Sequence, residues 1–113
     1  MIKLFHEMAG WKKIVVYVPL THADALRTAI GEAGGGTLGN YSFCSFSVRG
    51  VGRFRPDAGA SPHIGEVGKI EQVEEERIEV TCAPDVIGKV IAAIKAVHPY
   101  EEIALDVYAL ENW

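Results

Sequence analysis

The stretch KKIVVYVPLTHADALRTAI at residues 12–30 places a predicted strand directly before a predicted helix. Lys12–Pro19 is rich in β-branched and aromatic residues and is apolar at both alternations, which predicts a strand that is covered on both faces. Thr21 can cap the helix that follows, whose apolar residues recur at helical spacing. The glycines at 34–36 end this helix, because glycine readily adopts the left-handed conformation found at helix C-termini.

Apolar periodicity predicts the remaining elements in the same way. Alternation indicates strands, and a stripe at helical spacing indicates a second helix, which Pro99 ends because the residue before a proline avoids helical angles. The predicted bounds are Tyr41–Gly50 and Lys69–Cys82 for the second and third strands, Asp85–Val97 for the second helix and Glu102–Leu110 for the last strand.

A long irregular segment separates the two middle strands. Residues 50–68 contain five glycines and two prolines, a composition that predicts an ordered loop of functional interest rather than a tight hairpin. Just after it, Ile70 and Val73 cannot share one strict alternation, whereas Ile78, Val80 and Cys82 can. We therefore predict a bulge or turn near Glu74–Glu76.

The resulting order of elements is βαββαβ. It predicts an α+β fold, a ferredoxin-like sandwich with a four-stranded antiparallel sheet and two helices on one face.

Two helices leave the other face of the sheet open, whereas the first two strands are apolar on both faces. Burial of that face at roughly 25 cal/mol per Å² would favour association. We expect a homo-oligomer, either a dimer or a trimer; the alternative is that the glycine-rich loop covers the sheet.

Length, charge and cysteine content restrict the class of protein. The 113 residues suit a single domain, which we place at residues 11–113 after an N-terminal extension of residues 1–10. A net charge of −4 without a basic stripe excludes a nucleic-acid binder, and the apolar runs are too short to span a membrane. Two cysteines are too few for a disulfide framework, so we expect a cytoplasmic protein.

Three stretches resemble a known protein family. They are residues 18–30 (VPLTHADALRTAI), residues 33–80 with the motifs GNYSFCSF and GRFRP, and residues 98–108 (HPYEEIALDVY). They are similar to the YqfO-type domain, an insert in the Nif-three-like dinuclear-metal hexameric proteins that also occurs alone at about this length. The resemblance implies a fold like that of CutA and of the nitrogen-regulatory PII proteins, both trimeric. It also implies that the parent family's metal site lies outside this module, so its hydrolase-like activity is not transferred.

The motif HPYEE is the first candidate site. His98, Glu101 and Glu102 lie within five residues and could bind a divalent transition metal, with His22 as a further donor. No His-x-x-x-His or Cys-x-x-Cys spacing supports such a site. The structural alternative is that His98 interacts with free carbonyls at the helix end, Tyr100 packs and the glutamates face water.

Arginines in and beside the predicted loop form a second candidate site. Arg49, Arg53 and Arg55 could bind a small anionic effector, and the likeness to PII proteins implies a nucleotide bound between subunits. The alternative is that Arg53 and Arg55 pair with acidic residues of the third strand, across the sheet or across an interface. The candidate ligand-binding residues are Asn40, Tyr41, Cys44, Arg53, Phe54, Arg55 and Tyr100.

The residue pattern favours binding over catalysis. No acid and base lie at a spacing that suggests proton transfer, and Cys44 is expected mid-strand, as a small buried hydrophobe rather than a nucleophile. We therefore expect a small oligomeric binding or regulatory module. Two ligand classes stay open, a divalent transition metal and a nucleotide or other anion.

Overall fold

The computed structural model describes residues 9–111, and its elements follow the order βαββαβ. The sheet order is β2-β3-β1-β4, and all neighbouring strands are antiparallel. The predicted α+β, ferredoxin-like architecture is confirmed. The elements are β1 (Lys12–Pro19), α1 (Leu20–Glu32), β2 (Phe46–Phe54), β3 (Glu71–Cys82), a short 3₁₀ turn (Pro84–Val86), α2 (Ile87–Val97) and β4 (Leu105–Ala109).

The hydrophobic core lies between the two helices and the inner face of the sheet. Ile14, Val16 and Val18 of β1 point inward and pack with Leu26 of α1 and Ile94 of α2, each at most 1% exposed. A fully buried aliphatic side chain contributes about 1.5–3 kcal/mol. This cluster therefore holds both helices on the same face of the sheet.

The outer face of the sheet is not uniformly apolar. Val15 points to this face and is fully buried, although no helix covers it. Around it, Glu79 forms ion pairs with Lys13 at 3.3 Å and with Arg77 at 3.2 Å, and the Arg77 guanidinium also lies 5.8 Å from the centre of the Tyr17 ring. These charged side chains shield the centre of the face, so β1 does not need a second copy of the chain to cover it.

β2 begins and ends later than predicted. The segment GVGRF, assigned to the loop by its glycines, forms the second half of the strand, and the irregular segment is residues 55–70. Glycine weakens the interior of a strand, but β2 accommodates Gly50 and Gly52 because it is an edge strand that pairs only with β3.

The residues before β2 also differ from prediction. Cys44, predicted to lie buried within the strand, is exposed in the segment that leads to it. Phe46 and Val48 are 64% and 46% exposed on the outer face. Apolar exposure on this face is therefore found on the two edge strands, at Phe46 and Val48 of β2 and at Tyr108 of β4, which is 47% exposed.

β3 is continuous, and the predicted bulge near Glu74–Glu76 is absent. The strand pairs without interruption with both β2 and β1. Ile70, on which the bulge prediction relied, lies before the strand and is 74% exposed. It therefore does not have to follow the alternation of the core residues.

Three other predictions concern the ends of elements. The hydroxyl of Thr21 contacts Nδ1 of His22 and does not cap α1, which begins one residue earlier. β4 begins at Leu105 because residues 98–104 form a turn. The predicted extension of residues 1–10 lies almost wholly outside the described residues.

Neither α-helix within residues 9–111 is long and apolar enough to cross a membrane.

Candidate functional site

Five segments meet at one end of the sheet and surround a cavity of about 370 Å³. They are the last residues of β1 and β2, the central part of β3, the first half of the 55–70 loop and the turn at residues 98–104. The side chains that matter most for its chemistry are Tyr17, Phe54, His63, Glu75, Tyr100 and Glu101. Parts of two motifs that carry the family resemblance, GRFRP and HPYEE, therefore face the same space.

Backbone hydrogen bonds give the 55–70 loop a defined path. Gly68 N–H donates to the carbonyl of Pro56 at 2.7 Å, and Ala60 N–H donates to that of Asp57 at 3.0 Å. Ser61 N–H donates to Oε1 of Glu101 at 2.8 Å, which ties the loop to the turn after α2. The cavity wall is thus held at both ends, as a binding site on a loop requires.

His98 is buried, and both of its ring nitrogens have partners. Nε2 lies 2.7 Å from the carbonyl oxygen of Tyr17, and Tyr100 N–H donates to Nδ1 at 3.2 Å. A carbonyl can only accept, so His98 is neutral with its proton on Nε2. Burial lowers the pKa of His98, although the Tyr17 carbonyl acts in the opposite direction. His98 could bind a metal only by giving up one of these bonds, and the carbonyl it contacts belongs to β1 rather than to a helix end.

Tyr100 is the centre of an aromatic cluster. Its ring lies 5.9 Å from Phe54, 6.3 Å from His63 and 5.1 Å from His98, measured between ring centres. Its hydroxyl donates to Oε2 of Glu75 at 3.1 Å. Burial and the neighbouring Glu75 charge raise the pKa of Tyr100, so the phenol stays neutral and keeps donating.

The charges on the cavity wall are mostly negative. Two arginines and four carboxylates line it, which leaves an excess of two negative charges when all are ionised. Arg55 pairs with Asp57 at 2.8 Å, while Arg53 forms no ion pair with any residue from 9 to 111 and lies opposite Gln72 in the sheet. Arg53 and Arg55 therefore form no ion pair with β3 across the sheet, so of that alternative only the pairing across an interface remains.

The structure brings together most of the residues singled out in the sequence. Those that line the cavity are Arg53, Phe54, Arg55, Tyr100, Glu101 and Glu102. His22 lies beside it, with its ring 5.8 Å from that of His63. Asn40, Tyr41 and Cys44 do not line it; they precede the far end of β2, where Cys44 N–H donates to the carbonyl of Gly36.

Tyr17 and Glu75 belong to the cavity but were not identified from the sequence. Tyr17 was assigned to an apolar strand, and Glu75 to a predicted bulge and a solvent-exposed acidic run. Alternation along an unbroken β3 would have placed Glu75 on the outer face, two residues from Arg77. Within the described part of the chain, no group of three or more His, Cys, Asp or Glu side chains is arranged to hold a metal ion.

Known proteins similar to this chain agree with the resemblance seen in its motifs. A protein of Mycobacterium leprae named GTP cyclohydrolase 1 type 2 homolog is 48% identical over 103 residues, which are 91% of this chain and 27% of that protein. The crystal structure of a Bacillus cereus protein related to NIF3 matches with a TM-score of 0.80 and 48% identity, over 92% of this chain and 26% of that one. This chain is a homologue of one segment of the NIF3-related proteins. No protein-family model matches it.

This chain spans about a quarter of the length of these relatives. Its fold also matches shorter proteins of low sequence identity. The periplasmic divalent cation tolerance protein CutA of Archaeoglobus fulgidus has a TM-score of 0.66 at 18% identity, over 91% of this chain and 86% of that one. GlnK of B. subtilis has a TM-score of 0.55 at 19% identity, over 90% of this chain and 86% of that one. These likenesses establish a CutA-like and PII-like fold.

Proposed function

We propose that the chain is a self-associating binding or regulatory module whose ligand site is the cavity around Tyr100. The observation that carries the proposal is this cavity, which has an aromatic interior and hydrogen-bonded walls and opens beside the uncovered face of the sheet. A binding role fits better than catalysis because both nitrogens of the nearby His98 are engaged by backbone groups. The unbridged thiols of Cys44 and Cys82 support a reducing, cytoplasmic location.

Self-association would use β2. This strand pairs only with β3, so its other edge carries unpaired backbone groups that can add a strand from another chain. Phe46 and Val48 place exposed apolar surface next to that edge. A neighbouring hollow of about 300 Å³ shares Tyr17, Gly52 and Glu75 with the cavity. A second copy packed against β2 would close this hollow and place the ligand site at the subunit interface.

Substitution of Phe46 by glutamate is expected to convert the assembled protein to monomers. An ionised side chain buried within the interface would lose hydration without a partner, which costs several kcal/mol. Ile70→Glu is the matched control, because Ile70 is 74% exposed and lies outside the proposed interface. Size-exclusion chromatography with light scattering at micromolar concentration reports the mass. A monomeric wild-type protein, or equal masses for the wild type and Phe46→Glu, would contradict self-association through β2.

A divalent transition metal is a second candidate ligand, favoured by the contact between His22 and His63. Their rings are 5.8 Å apart at the edge of the cavity, and imidazole is a good ligand for copper and zinc. In titration calorimetry with Cu²⁺, we expect binding to the wild type and its loss in the double variant His22→Ala/His63→Ala. Equal heats in the two proteins would reject this site.

An anionic effector would have to rely on Arg53. Arg55 is paired with Asp57, and four carboxylates line the same cavity. The support for this third ligand class is therefore one cation and the PII-like fold.

A further inference from the structure

We propose that the cavity around Tyr100 takes a small organic cation, with an ammonium or methylated ammonium group on a compact apolar body. This inference rests on the proposed function, because it names the ligand class of the same site. Three observations support it: the aromatic walls, the position of one carboxylate and the sign of the surrounding charge.

The walls suit a cation with an apolar surface. Tyr100, Phe54, Tyr17 and His63 line one space, and Tyr100 contacts the rings of Phe54 and His63 directly. Aromatic faces carry negative electrostatic potential and attract ammonium groups, most strongly when water is excluded. Proline and alanine side chains complete the wall, so the body of the ligand would pack against apolar atoms.

Glu75 supplies a carboxylate that is held in place at this cluster. Its Oε2 accepts the Tyr100 hydroxyl at 3.1 Å. On its other side is the bare backbone of Gly52, where a Cβ would lie 2.1 Å from Oε1 of Glu75. Gly52 thus leaves room for the carboxylate between β2 and the aromatic ring. The result is a negative charge fixed beside aromatic side chains, an arrangement that complements a cation.

The remaining charges favour the same sign of ligand. Asp57 compensates Arg55, and the carboxylates of Glu101 and Glu102 outnumber the remaining cation, Arg53. An inorganic cation would need several oxygen or nitrogen ligands. No group of three or more such side chains is assembled anywhere in residues 9–111. An organic cation needs only one fixed countercharge and aromatic contacts.

Three probes of nearly equal shape test how the charge of the ligand affects binding while its size stays constant. Choline is a cation, 3,3-dimethylbutan-1-ol is its neutral analogue and 3,3-dimethylbutyrate is an anion. Amide shifts of the ¹⁵N-labelled 113-residue chain, followed by NMR, give both the affinity and the position of each probe. We expect choline to bind about tenfold more tightly than the neutral alcohol, with shifts at Gly52 and Tyr100.

The variant Glu75→Gln keeps the size of the side chain and an oxygen that can accept from Tyr100. It is expected to remove most of the preference for choline. Glu74→Gln removes the same charge from an exposed neighbour that does not line the cavity, and it should leave the preference unchanged.

The outcomes separate this inference from the proposed function. If 3,3-dimethylbutan-1-ol or 3,3-dimethylbutyrate binds in the cavity as tightly as choline does, the inference is overturned and the binding role stands. Choline shifts confined to other surfaces overturn it as well. If none of the three probes shifts the amides around the cavity, the inference is overturned, and the binding role then depends on the other ligand classes, which the Cu²⁺ titration tests separately.

Discussion

Replacement of Gly36 by alanine is expected to lower the free energy of unfolding by about 3 kcal/mol or more. Gly36 has a φ of +76°, and a Cβ at this position would lie 2.2 Å from the backbone oxygen of Cys44. The backbone cannot move away freely, because Gly36 N–H donates to the Thr81 carbonyl and Cys44 N–H donates to the Gly36 carbonyl, both at 3.0 Å. These two bonds attach the segment before β2 to the end of β3.

Gly39→Ala is the matched control for this substitution. Gly39 also has a positive φ, +56°, but nothing lies within 4 Å of the Cβ that would be added. Only the cost of the left-handed conformation remains, about 1–2 kcal/mol. Urea unfolding followed by circular dichroism measures both values. Equal losses at the two positions would show that the close approach of Gly36 to Cys44 does not constrain the fold.

Replacement of His98 by alanine is expected to cost about 2–5 kcal/mol of unfolding free energy. The Tyr17 carbonyl and the Tyr100 N–H would each lose their imidazole partner, at about 1–3 kcal/mol for each group left unsatisfied. The same bonds hold the end of β1 to the turn that presents Tyr100. His63→Ala is the control, since His63 is exposed and forms no hydrogen bond with any residue in the 9–111 range. A loss no greater than that of His63→Ala would contradict the structural role of His98.

The contribution of His98 to stability should depend on pH. Burial lowers the pKa of His98 in the folded protein below its ordinary value of 6.5, with Glu75 opposing and His22 assisting this shift. Between the two values the unfolded chain binds more protons, so stability falls as the pH decreases below about 6.5. The difference between the wild type and His98→Ala should therefore shrink from about pH 7.5 to about pH 5.5 in metal-free buffer. A difference that stays constant over this range would show that the pKa of His98 is not lowered.

Two family motifs predicted much of the candidate site, because each is an unbroken stretch of sequence whose residues stay close together in the fold. GRFRP and HPYEE contain Arg53, Phe54, Arg55, Tyr100 and Glu101, and all five line the cavity. Glu75 could not be predicted in the same way, because its place depends on the register of β3 against two other strands. The motif GNYSFCSF was equally distinctive, but it lies at the far end of β2. A distinctive stretch alone does not show which space its side chains face.

The order of the elements and the inner face of β3 follow from the sequence by itself. Ile78 and Val80 alternate with charged or polar residues along β3, so local periodicity determines that these two side chains point towards the helices. β1 is apolar at both alternations, and its register places Ile14 opposite Val80 and Val16 opposite Ile78 on the inner face.

Only the tertiary structure decided the outer face of the sheet and the charge of the cavity. Val15 is buried because Glu79 brings Lys13 and Arg77 together around it, and these charges come from two different strands. The excess of carboxylates in the cavity likewise arises where β3, the loop and the last turn converge. Such properties depend on distances between residues that are remote along the chain, and alternation within one strand carries no information about those distances.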